Sequence, residues 1–177
     1  MQKVKLPHSV DPIKSAVKRS DYRGVIATSD MERLSGAVVS CEDWVDAEVQ
    51  FEKDAQGLTV FHGHLDTQVT VLCQRCNGEL TLPLHAEFCF SPVQGQAQFE
   101  HESIPDAYDP VEVDDHGMIN LLQLFEDELI LSLPLVPLHA EEACAVSQDE
   151  MQFGKIEPEQ ERPNPFAVLK ELKRDQE

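Results

Sequence analysis

Basic residues are missing from a long stretch of this 177-residue chain: no Lys or Arg occurs from Cys76 through Gly154. With 33 acids against 14 bases the formal net charge is −19, and the sequence pI is about 4.6. Proteins that coat nucleic acid grip phosphates with a basic footprint, which this chain lacks overall. Aromatic residues make up 6% of the sequence, too few for a base-stacking surface, and no RNP-type motif occurs. Long apolar runs are also missing. The best candidate, around Leu129 to Leu138, is broken by Pro134 and Pro137, well short of the roughly 20 residues of a membrane span. The opening Met1 to Pro7 has no signal-peptide core. Five cysteines are an odd number, which argues against a disulfide framework. There is no P-loop, GxGxxG, nucleophile elbow or Ser/His/Asp pattern. Together these absences predict a soluble cytoplasmic binding protein without identifiable catalysis, about one domain in length and able to fold without cross-links.

The charges that are present are segregated. Glu100, Glu102, Asp106, Asp109, Glu112, Asp114, Asp115, Glu126, Asp127 and Glu128 all fall in the region without bases. Such a surface either simply solvates the protein or docks a basic protein. The first 23 residues have the opposite bias: Lys3, Lys5, Lys14, Lys18, Arg19 and Arg23 face only Asp11 and Asp21. That small basic part is the one suited to approaching an anion.

Local patterns predict an α+β protein. Asp11-Pro12 reads as a helix start running to about Ser20, because Asp accepts from first-turn amides and Pro has no N–H to leave unpaired. Ile13, Ala16 and Val17 would share its buried face. Val45, Ala47, Val49 and Phe51 alternate with polar residues, a strand with one wet face. Asp54 to Gly57 makes a turn, and Leu58 to Leu65 returns. Val69 to Leu72 and Leu80 to Phe90 flank a hairpin turn at Asn77-Gly78. Short connections imply an antiparallel β-meander from Gly36 to Pro92, able to curl toward a barrel. Phe99 to Pro110 reads as a long loop, and Val111 and Val113 suggest a brief strand. A long packed helix near residues 120–132 begins at Asn120, with Gln123 at capping-box spacing, and carries Leu121, Leu122, Phe125 and Leu129 on one stripe. Residues 1–35 then form a basic arm, 36–154 the acidic core, and 155–177 a linker with a short helix starting at Asn164.

Cys73-Gln74-Arg75-Cys76 is the most chemical-looking stretch. Two cysteines two residues apart, in a turn closed by Gly78, can aim both sulfurs at one Zn2+. The best second pair is His139 and Cys144, with Cys89 in reserve; the alternative is a pair of reduced thiols. A thioredoxin-like role fits less well, because that chemistry places CxxC at a helix N-terminus. Cys41 reads as a small buried hydrophobe. His62 and His64 share a strand face and read as surface histidines. Glu126, Asp127 and Glu128 diverge around a helix, so they read as a solvated face and not as an ion site.

Several stretches in order resemble the YceD family, the large ribosomal RNA subunit accumulation proteins of bacteria and plastids. They are Met1 to Pro7 with Asp11-Pro12, Cys73 to Cys76, Tyr108 to Glu112, Glu126 to Pro134, Val136 to His139 with Cys144, and Pro163 to Leu169. The resemblance runs nearly end to end and is nearest to the enterobacterial-type members. It implies a non-enzymatic role in synthesis, processing or stability of 23S ribosomal RNA. Many family members carry further cysteines after the proline-rich segment; this chain offers His139 and Cys144 there. Fitted to the charge, the resemblance implies that the acidic residues engage a basic ribosomal protein or a precursor large subunit, with a limited RNA contact from Lys14, Lys18, Arg19 and Arg23. A holding chaperone for basic ribosomal proteins and a metal-dependent RNA-processing enzyme are the alternatives.

Overall fold

The structure is a computed structural model that describes residues 5–94, 104–147 and 154. Met1–Ala145 forms one compact unit, and Val146–Glu177 a second. The helix expected from Asn164, together with Glu100 and Glu102, lies outside the described residues.

The first unit is α+β, as the patterns imply. Its strands are β1 (Ser9–Val10), β2 (Asp21–Ala27), β3 (Ser40–Cys41), β4 (Trp44–Lys53), β5 (Thr59–Leu72), β6 (Glu79–Val93), β7 (Asp109–Glu112) and β8 (Ile119–Asn120). Its α-helices are α1 (Pro12–Lys18), α2 (Glu32–Ala37) and α3 (Leu121–Leu131). Six strands form one sheet in the order β2-β4-β5-β6-β7, with β3 beside β5; β1 and β8 pair separately. In β4, Val45, Ala47, Val49 and Phe51 are buried, while Asp46 is exposed and Glu48 and Gln50 are half-covered. That is the period-two division read from the sequence. Phe51 stacks on Phe61 at 5.1 Å between centroids, and Phe88 meets Phe125 of α3 at 5.2 Å. Helices α1 and α3 cover this apolar face, leaving the other face of the sheet to solvent.

Three expectations need correction. The sheet does not close into a barrel: β2 and β7 are its ends and do not pair with each other. Helices already cover the apolar face, so closure would bury nothing more. Within Gly36 to Pro92 the pairing is antiparallel throughout, as expected; beyond it, β7 runs parallel to β6. The connection through residues 94–108 is long enough for the crossover that parallel pairing requires. Helix α3 is not long, spanning 11 residues. Pro134 disfavours helical geometry at Leu133 and cannot donate an amide hydrogen, so the chain leaves the helix at Ser132. In α1, Asp11 does cap the helix, accepting from the Lys14 amide at 2.9 Å. The buried face, though, is Pro12, Ser15 and Ala16, and Ile13 and Val17 stand 45% and 67% exposed.

Two details hold the layers in register. Gly63 of β5 lies opposite Val49 of β4, where a Cβ would sit 1.9 Å from the Glu48 carbonyl oxygen. Only glycine allows that approach. Helix α2 has no side-chain cap of its own at Met31. Glu126 of α3 supplies one from across the core: its Oε1 accepts from the amides of Arg33 at 2.7 Å and Leu34 at 3.1 Å. Its Oε2 accepts from Arg33 Nε at 2.9 Å. The 126–128 face is therefore not wholly solvated, since Glu126 is buried at 6% exposure.

Replacing Glu126 with Ala leaves two amides and a guanidinium without their acceptor, so we expect a loss of about 3 kcal/mol in urea unfolding. Asp127→Ala, which removes only a surface ion pair to Arg33, should cost under about 1 kcal/mol. Gly63→Ala should destabilise by about 3 kcal/mol; a neutral effect at either Glu126 or Gly63 would refute the packing described.

Candidate metal centre

The β5–β6 connection, residues 73–78, is a closed loop and not a two-residue hairpin turn. Cys73 N–H donates to the Gly78 carbonyl at 2.9 Å, and Asn77 N–H to the Cys73 carbonyl at 2.8 Å. Asn77 takes the left-handed conformation, φ 54°, which Asn tolerates better than most residues. The loop brings Cys73 and Cys76 to the same side. The chain leaving α3 then runs past it without forming a helix or strand. Gln74 N–H donates to the Pro137 carbonyl at 2.9 Å, and its Nε2 to the Leu135 carbonyl at 3.1 Å. These bonds dock the 135–139 segment on the loop.

As a result the four residues singled out from spacing, Cys73, Cys76, His139 and Cys144, converge. Their ligand atoms lie within 4.8 Å of one another. Ligands of a tetrahedral zinc thiolate lie about 3.8 Å apart for Zn–S bonds of about 2.3 Å, so a modest contraction would close the set. Cys76 Sγ is 3.4 Å from His139 Nδ1. His139 Nε2 is 2.9 Å from the Glu79 carbonyl oxygen. A carbonyl only accepts, so Nε2 carries a hydrogen and Nδ1 faces the sulfurs, where as a metal ligand it would offer its lone pair. Orienting a ligating imidazole through its second nitrogen is the usual outer-shell device.

Cys73 is prepared as a thiolate. Burial of Cys73 pushes its thiol pKa up, but the amides of His139, Cys76 and Arg75 outweigh it and bring the value down to about 5. His139 is raised above its ordinary value, first by its hydrogen bond with Cys73 and then by the Glu79 carbonyl. Arg75 lies inside the CxxC, and its role is not visible in spacing alone. Its Nε donates to Cys144 Sγ at 3.0 Å and its Nη2 to the His139 carbonyl at 2.9 Å. The guanidinium thereby places a positive charge beside the sulfurs and ties the second ligand pair to the first. A Cys3His group of this kind could hold a metal ion; three soft sulfurs and one imidazole suit Zn2+. Cys89 stands apart on β6, opposite His62, and Cys41 is half-buried on β3.

The other residues singled out from the sequence scatter. Glu112, Asp114, Asp115 and Asp127 line one open cleft of about 630 Å3 with Ser9, Asn120 and Gln123. Asp109 lines another, of about 510 Å3, with Glu48, His62, His64 and Glu87 on the solvent face of the sheet. Asp106 is exposed. Glu128 is half-covered, and its carboxyl is raised by burial and then by the charges of Asp109 and Asp127. Lys14 is paired with Asp11 at 2.9 Å, and Lys18 and Arg19 are exposed near it. Arg23 is separated from them, since it pairs with Glu48 on the sheet face away from α1.

These features define an α+β protein with a cysteine–histidine centre at the end of its longest hairpin. A sequence profile of the family described as large ribosomal RNA subunit accumulation protein YceD matches residues 61–173. A curated protein of Haemophilus influenzae with that same name is 45% identical over 175 residues, covering 98% of this chain and 99% of its own length. The chain belongs to the YceD family. No solved structure matches it.

In protein stripped of metal, the account predicts one thiol already ionised below neutral pH, seen as ultraviolet thiolate absorbance and missing in Cys73→Ser. Adding Zn2+ should raise the melting temperature by several degrees, and the gain should fade as the solution is acidified, because protons compete for the sulfurs. Cys73→Ser or His139→Ala should abolish the gain; an equal gain in these variants would refute the ligand set.

Proposed function

We propose that this protein supports accumulation of large-subunit ribosomal RNA as a non-catalytic factor in ribosome biogenesis, acting in the cytoplasm. Its molecular role is to bind a basic ribosomal protein or a precursor large subunit carrying one. The observation that carries this reading is the near full-length match to a protein whose name states a role in large ribosomal RNA subunit accumulation. The charge supports the choice of partner. A surface without Lys or Arg from Cys76 through Gly154 repels phosphates and attracts cations, so the contact is made mainly to protein, with RNA reached at most through Lys14, Lys18, Arg19 and Arg23. Among the described residues no helix is long and apolar enough to cross a membrane.

Cys73, Cys76, His139 and Cys144 would hold zinc as a structural ion. Three sulfurs and one nitrogen make a complete tetrahedral set, whereas zinc sites that activate water keep one position open. The bound ion would supply cross-linking of the 73–78 loop to the 139–144 segment. This chain's own residues do the rest: Gln74 docks the segment, Glu79 orients His139, and Arg75 offsets the charge of the sulfurs.

Cells depleted of the protein should show a reduced ratio of large- to small-subunit ribosomal RNA. Retention of the purified protein on precursor large subunits should fall steeply between low and moderate salt, as contacts between surface charges do. Charge reversal at Asp106, Glu112, Asp114 and Asp115 should weaken retention about tenfold. A normal ribosomal RNA ratio in depleted cells would refute the function, and salt-independent retention would refute the mode of contact.

A further inference from the structure

Five of the exposed large apolar residues among the described residues, including the two most exposed, lie on the chain segments that carry the cysteine–histidine centre. Leu135 is 95% exposed, Leu131 77%, Val136 58%, Leu72 49% and Leu138 47%. Four of them lie between the end of α3 and His139, and the fifth immediately precedes Cys73. The docking bonds from Gln74 to the Pro137 and Leu135 carbonyls hold that segment against the loop that Leu72 enters. Two carbonyls of the segment thus face the loop, while Leu135, Val136 and Leu138 stand exposed. Singly exposed leucines are ordinary, but a run of exposed apolar residues along one docked segment of a strongly charged protein marks an interaction surface.

The charge around it selects the occupant. The acids nearest in sequence are Glu128, Glu141 and Glu142 on the segment and Glu79 on β6, and no base other than Arg75 stands in the stretch from Leu72 through Ser147. Arg75 is already spent on Cys144 and His139. An apolar strip bordered by acids repels phosphates of RNA and anionic lipid headgroups alike, and attracts a peptide that carries leucine-like and lysine-like side chains together.

From this juxtaposition we propose that the Leu131–Leu138 ridge, with Leu72, is the docking site for a basic, amphipathic segment of a partner protein, presented by the loop carrying the cysteine–histidine centre. This rests on the binding role proposed above and locates its apolar component. Charge steers the partner in, and the ridge sets how long it stays.

The test uses the full chain and three labelled peptides in fluorescence anisotropy: a Leu/Lys amphipathic helix former, a Ser/Lys peptide of the same charge, and a Leu/Glu peptide of opposite charge. The Leu/Lys peptide should bind about tenfold tighter than either of the others, and Leu135→Ser with Val136→Ser should erase that advantage. Ile13→Ser with Val17→Ser, which removes the exposed pair on α1, should leave it intact. Equal binding of the Ser/Lys peptide, or an unchanged affinity in the ridge variant, overturns the proposal. So does sedimentation showing dimers that the ridge variant dissolves, because the occupant is then a second copy of the chain. In cells, depletion that lowers large-subunit ribosomal RNA while the ridge variant restores it fully would sink the ridge alone. Depletion without any such loss would sink the functional reading beneath it.

Discussion

The structure depends on one convergence: the loop between β5 and β6 must meet the chain that leaves α3. Everything distinctive about the molecule lies at or beside that meeting. The loop is closed by its own backbone bonds and by the left-handed Asn77. The segment is fixed to it by Gln74 and Arg75, whose donors reach carbonyls and a sulfur across more than sixty residues of sequence. A set of sulfurs this close would repel as thiolates without a cation among them. The Arg75 guanidinium offsets part of that charge, and a divalent ion would offset more. The arrangement is therefore chemically biased toward holding metal, and the metal in turn would hold the surface built on it.

In the proposed role, that surface and the rest of the chain would divide the work of binding between charge and apolar contact. The described acids do not form one patch; Glu112, Asp114, Asp115 and Asp127 line one cleft and Asp109 another. Long-range attraction does not need a patch, since the summed field of a chain carrying −19 reaches several ångströms into solvent. Specificity does need geometry. The ridge supplies it on a backbone tied down at two carbonyls, so little conformational freedom remains to be lost when a partner arrives. Glu126 shows that an acid in an acidic region need not serve a partner at all, since it is consumed in capping α2.

Much of this was legible in the sequence, and the limits are physical. The alternation in β4, the Asp11 and Asn120 caps and the α3 stripe were readable because each is a local pattern with a local cause. The four ligand residues were readable because metal chemistry demands sulfur and imidazole, and few are available. The family resemblance added their order along the chain. The parallel pairing of β7, the open sheet and the cross-core cap from Glu126 were not readable, because each is decided by contacts between residues far apart in sequence. Ile13 and Val17 show the same limit in miniature: periodicity placed them on the buried face, and packing against the sheet selected Pro12, Ser15 and Ala16 instead. Arg75 was hidden for another reason, since a residue between two cysteines gives no sign of where its side chain goes.

The account stands or falls on the cysteine–histidine centre being a closed structural metal site. X-ray absorption at the zinc edge of protein purified without added chelator tests this most directly. We expect one zinc per chain with three sulfur neighbours at about 2.3 Å and one nitrogen at about 2.0 Å. A zinc bound with a water oxygen in place of one ligand, or protein that takes up no metal at all under reducing conditions, would contradict it.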